Sequence, residues 1–180
     1  MAEIRVGSWS ELQDELFKDS WNPELGRFRS RYAFRGLADA SYRFETTLIR
    51  LRGNFVEIER HLLRNFKKYA HRTVVSRDSL WHWLSVAQHY GLPTRLLDWT
   101  YSPFLAMHFA TANLEKFNLD GVIWAVNYVH THQLLPNKLR TQLDEEGANV
   151  FTVEMLAESV KSFKLKFLEM NYISIGFHLV

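Results

Sequence analysis

The segment from Gln88 to Ala110 constrains the fold of this chain more than any other part of the sequence. Its first part, QHYGLPTRLLDWTYSP, mixes charged, hydroxyl and aromatic side chains, and apolar stretches with helical spacing lie on either side. A simple connection between two buried helices needs far fewer polar side chains than this one carries. The segment therefore predicts two apolar helices joined by a loop that forms the wall of a site.

The helix before this loop is expected over about residues 79–90, where apolar side chains leave almost no polar face. Gly91 supplies a stop signal, and Pro93 after it confirms the end of the helix. A helix of this composition should be buried nearly all round. It would then deliver the side chains of His89 and Tyr90 into the protein interior.

The helix after the loop is expected over about residues 103–114. Ser102 is a favourable N-cap residue, and Pro103 suits the first helical position. Free backbone amides at the start of a helix favour an anion. The end of the loop is therefore a suitable place for a negatively charged ligand.

An alternating run, RYAFRG, predicts a strand over residues 31–36. Its period of two places Tyr32 and Phe34 on one face and Arg35 on the other. Arg35 is a good anion clamp, because its planar guanidinium binds phosphate or carboxylate through two hydrogen bonds. Gly36 permits a turn or the close approach of another group to the backbone. The alternative is a purely structural pair between Arg35 and a carboxylate.

The remaining patterns predict a protein of the α+β class. Short apolar or alternating runs predict strands at 121–126, 150–153 and 172–177. Helical spacing predicts a first helix capped by Ser8 or Ser10, a short helix near 47–52, a long helix over 54–71 and a last helix over 153–167. The stretch 130–147 is expected to be a loop. We therefore expect a single domain over residues 1–180, with a small mixed sheet covered by several helices.

Length and composition limit the cellular setting. A chain of 180 residues can bury a real core, and it has no cysteine, which fits a reducing compartment. The first residues lack the layout of a secretory signal, and no apolar run is long enough to cross a bilayer. We expect a cytoplasmic protein that is not in a membrane. The chain ends at His178-Leu179-Val180 without a polar tail, which is typical of a chain cut inside an element.

Positive charge is concentrated in residues 27–77, which hold 13 Lys and Arg against 4 Asp and Glu. Such a segment could attract a phosphate-bearing partner, including nucleic acid. Aromatic residues beside arginines could also offer platforms on which bases stack. The alternative is a solvated surface, on which the arginine stems cover apolar groups while their charged heads lie in water.

Three blocks of sequence resemble the FRG domain, which is named for its Phe-Arg-Gly tripeptide. They are YAFRG at 32–36, TLIR at 47–50, and the long block AQHYGLPTRLLDWT at 87–100 with the Ser102-Pro103 pair after it. The long block is highly specific, whereas the tripeptide alone is weak. The resemblance runs from about Trp9 to Val126, so residues 127–180 would form a C-terminal extension. It implies a domain but no particular reaction.

A second resemblance, at fewer positions, is to mono-ADP-ribosyltransferases. It implies NAD as cofactor, with Arg35 holding the pyrophosphate and with Ser102 and Tyr101 positioning the base. The segment Thr100-Tyr101-Ser102 and the following Ala106, Phe109 and Ala110 are similar to the nicotinamide pocket of that family. That family also has a late glutamate that engages the ribose. The chain has no clear Glu-x-Glu turn, and Glu154 after the predicted 150–153 strand is the candidate.

The loop side chains have alternative explanations. His89 is a candidate general base, because only histidine has an unperturbed pKa near neutrality, but it could equally be hydrogen-bonded scaffolding. Arg95 and Asp98 are three residues apart and could form an ion pair that braces the loop. Thr94 could satisfy loop backbone groups. Ser102, His89 and Asp98 are the residue types of a hydrolytic triad, but the glycines of a nucleophile elbow are missing.

Two kinds of function follow from these residues, beside a third possibility, a purely structural interaction domain with a filled core and no cavity between Arg35 and Asp98. The first is an enzyme similar to ADP-ribosyltransferases, whose catalytic residues would be His89, Asp98, Ser102 and Glu154 and whose cofactor would contact Arg35, Gly36, Tyr90, Thr94, Arg95 and Tyr101. The second is a non-catalytic module that binds a nucleotide or nucleic acid. The first predicts that Arg35, His89, Arg95, Asp98 and Ser102 converge on one pocket. No metal is predicted, because His130 and His132 lack a third ligand at a suitable spacing.

Overall fold

The computed structural model describes residues 2–70, 78–159 and 173–177. Their contacts divide the chain into two compact units. The first unit comprises 1–42, 98–135 and 168–180, and the second comprises 43–97 and 136–167. Each unit has a hydrophobic cluster of its own. The number of domains stays a prediction.

The first unit contains a four-stranded mixed sheet. Its strands are β1 (Ala2–Val6), β4 (Tyr32–Leu37), β5 (Gly121–Asn127) and β6 (Ile173–Phe177), and a small separate hairpin is formed by β2 (Trp21–Asn22) and β3 (Arg27–Phe28). The order across the sheet is β1-β6-β5-β4. The pair β1–β6 is parallel, and the other two pairs are antiparallel. The predicted strands near 31–35, 121–126 and 172–177 and the α+β class are confirmed.

Eight helices lie within the described residues. They are α1 (Trp9–Phe17), α2 (Thr47–Arg50), α3 (Phe55–Tyr69), α4 (Leu80–His89), α5 (Pro103–Thr111), α6 (Tyr128–Thr131), α7 (Asn137–Glu145) and α8 (Val153–Ser159), with 3-10 turns at Leu114–Lys116 and His132–Leu134. None of these helices is long and apolar enough to cross a bilayer.

Helices α1 and α5 build the core of the first unit together with the sheet. The Ser8 hydroxyl caps α1 by accepting a hydrogen bond from the Glu11 amide at 3.2 Å. Leu12 and Leu16, one helical turn apart, then point into the same cluster as Phe34 of β4. Ala106 and Ala110 of α5 belong to that cluster too. Small side chains on α5 thus allow this helix to lie close to the sheet.

The second unit is helical, and α3 packs against α4. Helix α4 ends in a Schellman turn, in which Gly91 has a φ of +82°. The Gly91 amide donates to the Gln88 carbonyl at 2.8 Å, and the Leu92 amide donates to the Ala87 carbonyl at 2.9 Å. Leu92 then packs against the cluster around Leu84. Gly91 therefore ends the helix as predicted.

Three predictions about local structure are wrong. Residues 150–153 do not form a strand, because the Thr152 hydroxyl accepts from the Met155 amide at 3.3 Å as α8 begins. The stretch 130–147 is not a loop, since α7 lies within it and buries Leu139 and Leu143. His89 and Tyr90 are exposed rather than delivered inside. The later half of the predicted 153–167 helix lies outside the described residues.

Candidate functional site

Arg35 lies on β4, at the edge of the sheet. Strand alternation sends Phe34 into the core, where it is 2% exposed, and directs Arg35 to the opposite side. On its outer edge, the Phe34 amide donates to the Thr100 carbonyl at 2.7 Å, and the Thr100 amide donates back at 2.9 Å. This bridge brings the second half of the loop between α4 and α5 (residues 90–102, the central loop) against β4. The Nη1 atom of Arg35 consequently donates to the Asp98 carbonyl oxygen at 2.8 Å.

A cavity of about 340 Å³ opens beside this contact. Its volume lies at the lower end of the range of roughly 300–1,000 Å³ for small-molecule sites. Its lining includes one arginine, one aspartate, three aromatic residues and several aliphatic residues. The lining residues are Phe34, Arg35, Gly36, Leu37, Ala38, Asp98, Trp99, Thr100, Leu105 and Phe109. Such a wall can bind an anionic group at one point and a flat apolar ring at another.

Gly36 is required by helix packing. A Cβ atom at this position would lie 1.8 Å from the Ala106 carbonyl oxygen and 2.9 Å from the Ala110 nitrogen, both in the backbone of α5. No side chain fits between β4 and α5 at that separation. The close approach expected at Gly36 is therefore the approach of a helix, and it places α5 beside the cavity.

Ser102 and Tyr101 follow the bridge to β4. The Ser102 hydroxyl accepts from the Leu105 amide at 3.3 Å, so it caps α5 as predicted. Tyr101 is 58% exposed, and its ring meets the ring of Tyr128 edge-on at 5.6 Å. Partial burial of the Tyr101 hydroxyl raises the pKa of Tyr101, and electrostatic repulsion from the nearby Tyr128 raises it further. Neither Ser102 nor Tyr101 is among the residues that line the cavity, and their roles toward a base stay predictions.

Arg95 and Thr94 belong to the second unit, where they fix the first half of the central loop. The Arg95 amide donates to Glu59 Oε1 at 2.8 Å, and its Nε donates to Oε2 at 2.6 Å. Glu59, on α3, is fully buried. Thr94 is 2% exposed; its hydroxyl bonds to the Gln88 side chain and accepts from the Leu96 amide at 3.2 Å. No local spacing in the sequence pairs Glu59 with Arg95, because 36 positions separate the two residues.

The other predicted site residues of the second unit, whether catalytic or cofactor-binding, are dispersed. His89 is exposed at the end of α4, and the ring of Tyr90 lies 6.1 Å from that of Phe66. Glu154 lies in the first turn of α8 rather than after a strand, and its Oε1 is 3.4 Å from His82 Nε2. Of the five residues expected to share a pocket, the structure brings together Arg35 and Asp98. His89, Arg95 and Ser102 are not in the cavity lining.

A comparison with models of protein families matches residues 30–119 to the FRG domain. The chain belongs to the FRG domain family. The matched region, half of the chain, contains β4, the central loop and α5. No curated protein and no solved structure matches this FRG protein. Within its described residues, no group of three or more His, Asp or Glu side chains could hold a metal ion.

The three residues of the FRG tripeptide have three different environments. Phe34 is in the core, Arg35 lines the cavity, and Gly36 contacts the backbone of α5. Strand alternation predicted that Phe34 and Arg35 lie on opposite faces, and a close approach to the backbone was one of the two possibilities predicted at Gly36. Sequence reasoning did not identify Trp99, Leu37 or Leu105 as cavity residues, although Trp99 lies within the most specific block of the FRG sequence.

A charged cluster directly follows the cavity-lining part of β4. Asp39 Oδ1 accepts from the Ser41 hydroxyl at 2.5 Å and from the Ser41 amide at 3.0 Å, and its Oδ2 accepts from Lys116 Nζ at 3.0 Å. Lys116 also bonds to the Tyr42 hydroxyl. The Ser41 hydroxyl and then the Lys116 ammonium lower the pKa of Asp39 to about 2. The Tyr42 and Asp39 contacts raise the pKa of Lys116.

Because of this cluster, we expect the free energy of unfolding to fall as the pH is lowered from about 4 toward 2. Because the pKa of Asp39 is about 2 when folded and about 3.9 when unfolded, its contribution is present above about pH 4 and is lost as the pH falls toward 2. Asp39→Asn should therefore unfold more easily than the wild type at neutral pH, and the difference should disappear near pH 2. Urea unfolding between pH 2 and 7 measures both curves. A constant difference throughout would contradict this origin.

Proposed function

We propose that the cavity beside Arg35 binds a phosphate-bearing nucleotide, with NAD as the first candidate and Arg35 as the phosphate clamp. The observation that carries the proposal is the guanidinium of Arg35, held by the Asp98 carbonyl at 2.8 Å on the wall of a ligand-sized cavity. A guanidinium stays charged at any working pH, and its fork matches two phosphate oxygens.

The rest of the wall supports a nucleotide rather than a simple anion. Trp99 and Phe109 supply aromatic faces for a planar base, and Leu37 and Leu105 add aliphatic surface. The carboxylate of Asp98 can accept hydrogen bonds from ribose hydroxyls. Phosphate, sugar and base would thus each find a suitable group. A volume of about 340 Å³ holds one nucleoside phosphate portion of NAD, so the other portion would extend out of the cavity.

ADP-ribosyl transfer is the reaction that NAD binding would serve. In that reaction the bond between nicotinamide and the ribose C1′ breaks, nicotinamide leaves with the bonding electrons, and an acceptor that loses a proton bonds to C1′. A carboxylate near the ribose stabilises the positive charge that develops there. Asp98, the acidic residue of the cavity lining, is the candidate for this role.

Ligand binding tests the clamp directly. Arg35→Gln removes the fork and the charge, so the Kd for NAD and ADP-ribose should rise at least about tenfold, as expected for loss of a charge-assisted hydrogen bond of roughly 1.5–3 kcal/mol. Isothermal titration calorimetry measures the Kd. Arg31→Gln, at an exposed arginine just before β4, is the matched control and should bind like the wild type.

A series of ligands separates phosphate recognition from other contacts. Nicotinamide riboside, which lacks the pyrophosphate, should bind equally weakly to the wild type and Arg35→Gln. Equal affinity of both proteins for ADP-ribose would contradict the clamp. Incubation with labelled NAD and candidate acceptors then tests transfer separately from binding, and Asp98→Asn should reduce transfer more than it reduces affinity.

A non-catalytic nucleic-acid-binding module is the second candidate. The β2–β3 hairpin exposes Trp21 and Phe28 by 54% and 64%, and their rings lie 5.2 Å apart. Arg27 and Arg29 flank Phe28 and are exposed. Aromatic faces beside cations suit stacked bases and phosphates. A salt-sensitive gel shift of single-stranded RNA or DNA that is lost in Trp21→Ala, without NAD turnover, would favour this function.

A further inference from the structure

Three side chains of the second unit form a connected chain of polar contacts. Ser79, which directly precedes α4, has its Oγ 2.7 Å from Nδ1 of His82. The other ring nitrogen of His82, Nε2, lies 3.4 Å from Oε1 of Glu154 on α8. The His82 side chain is 13% exposed and that of Glu154 is 48% exposed. A serine, a mostly shielded imidazole and a carboxylate are thus arranged in series.

The direction of the hydrogen bonds follows from the valence of each group. A neutral imidazole carries one N–H, and the Glu154 carboxylate can only accept, so the proton belongs on Nε2. Nδ1 is then an acceptor, and Ser79 donates its hydroxyl proton to it. Ser79 Oγ also accepts from the His82 amide at 3.2 Å. The proton path therefore runs from Ser79 to His82, and His82 is oriented by Glu154.

Serine hydrolases have the same order of serine, histidine and carboxylate. In them Nε2 faces the serine and Nδ1 faces the carboxylate, whereas in this chain Nδ1 faces Ser79 and Nε2 faces Glu154. The spacing also has a chemical parallel, because penicillin-binding proteins place a nucleophilic serine and a lysine three residues apart in an S-x-x-K sequence. Ser79 and His82 have the same separation at the start of α4. The positive end of that helix dipole would stabilise negative charge that develops next to Ser79.

Helix capping alone does not account for the arrangement. A cap requires the Ser79 hydroxyl and the His82 amide, and it would be satisfied by any residue at position 82. The imidazole ring and a carboxylate from a different helix add nothing to a cap. The nearest acidic neighbour, Asp78, is engaged elsewhere, since it accepts from the Trp83 indole at 2.8 Å and lies 3.6 Å from Lys67 Nζ.

We propose that Ser79, His82 and Glu154 form a second reactive site, which cleaves small carboxylic esters and is independent of the Arg35 cavity. Ser79 Oγ attacks the acyl carbon while His82 Nδ1 takes its proton. The bond to the leaving alcohol then breaks, and the alcohol receives that proton. Water then attacks the acyl carbon and gives one proton to His82. The bond to Ser79 Oγ breaks, His82 returns the proton to Oγ, and the carboxylic acid leaves. Glu154 is a positioning residue that holds the imidazole.

A serine-directed fluorophosphonate probe tests the nucleophile. Mass spectrometry should find the phosphonyl group on Ser79 of the full chain. Ser79→Asn, which keeps a capping acceptor but removes the nucleophile, should abolish labelling. His82→Gln should slow it about 100-fold or more, within the range of roughly 10²–10⁴ for general-base catalysis. Ser85→Ala, at an exposed serine of the same helix, is the control and should label normally.

The role of Glu154 requires a measurement that a structural role would not change. Glu154→Gln, which is similar in size but has no carboxylate, should slow the labelling of Ser79, and Glu154→Asp, which keeps a carboxylate, should restore most of the rate. Hydrolysis of a chromogenic acetate ester should rank the three proteins in the same order. Absence of label on Ser79, or equal labelling of the wild type and His82→Gln, would overturn the proposal.

Discussion

Glu59→Ala is expected to lower the free energy of unfolding by about 3–5 kcal/mol, the usual cost of removing one partner from a buried ion pair. Glu59 is fully buried, and the side chain of Arg95 is 13% exposed. The substitution removes the acceptor for the Arg95 amide and guanidinium while the positive charge stays in the interior. It also leaves a cavity on the apolar face of α3. Urea unfolding followed by tryptophan fluorescence measures the loss.

Two further variants distinguish the ion pair from a general effect on α3. Glu57→Ala, at an exposed carboxylate two residues away, should cost less than about 1 kcal/mol, because surface pairs contribute little. Glu59→Met combined with Arg95→Met should recover part of the lost stability. Apolar residues of similar volume often replace a buried pair without cost, but the backbone amide of residue 95 still loses its acceptor. A loss below about 1 kcal/mol in Glu59→Ala would show that Glu59 does not brace the loop.

Gly36→Ala is expected to be comparably destructive, with a loss of about 3 kcal/mol or more, at the upper end of the usual cost of overpacking. The added methyl would lie 1.8 Å from a backbone oxygen of α5, so it can be accommodated only if the helix or the strand moves. Such a movement would separate Ala106 and Ala110 from the core. It would also displace Leu105 and Phe109 from the cavity wall.

Gly7→Ala is the matched control, because a Cβ there would meet only a flexible carboxylate oxygen at 4.0 Å. This variant should change the free energy of unfolding by less than about 0.5 kcal/mol. Thermal unfolding and nucleotide titration of both variants provide the comparison. If Gly36→Ala melted like the wild type, the described packing of α5 against β4 would be wrong.

Local patterns in the sequence predicted the elements that carry their own signals. The alternation of Tyr32 and Phe34 identified β4 and placed Arg35 on the opposite face. Ser102 followed by Pro103 identified the start of α5. Periodicity failed where polar residues outnumber apolar ones, as in α7, in which Leu139 and Leu143 alone mark the buried side. It also failed for β1, whose pairing with β6 joins the two ends of the chain.

The candidate site was predictable only where local sequence patterns determine which way a side chain points. Strand geometry predicted that Arg35 would face outward, and the loop sequence predicted a polar wall near it. The partner of Arg95 could not be deduced, because Glu59 lies 36 positions earlier in the chain. The backbone contact of Gly36 likewise depends on how α5 is placed on the sheet. Local spacing identified the groups that could react, but it did not determine which of them meet.

The crowding at Gly36 has a consequence for engineering. No larger residue can be introduced at position 36, so a change of ligand specificity requires substitutions on the α5 side of the cavity. Leu105 and Phe109, which are 43% and 58% exposed, can change in size without disturbing the packing of α5 against the sheet. Ligand specificity can therefore be redesigned at the exposed residues of α5, but not at Gly36 on β4.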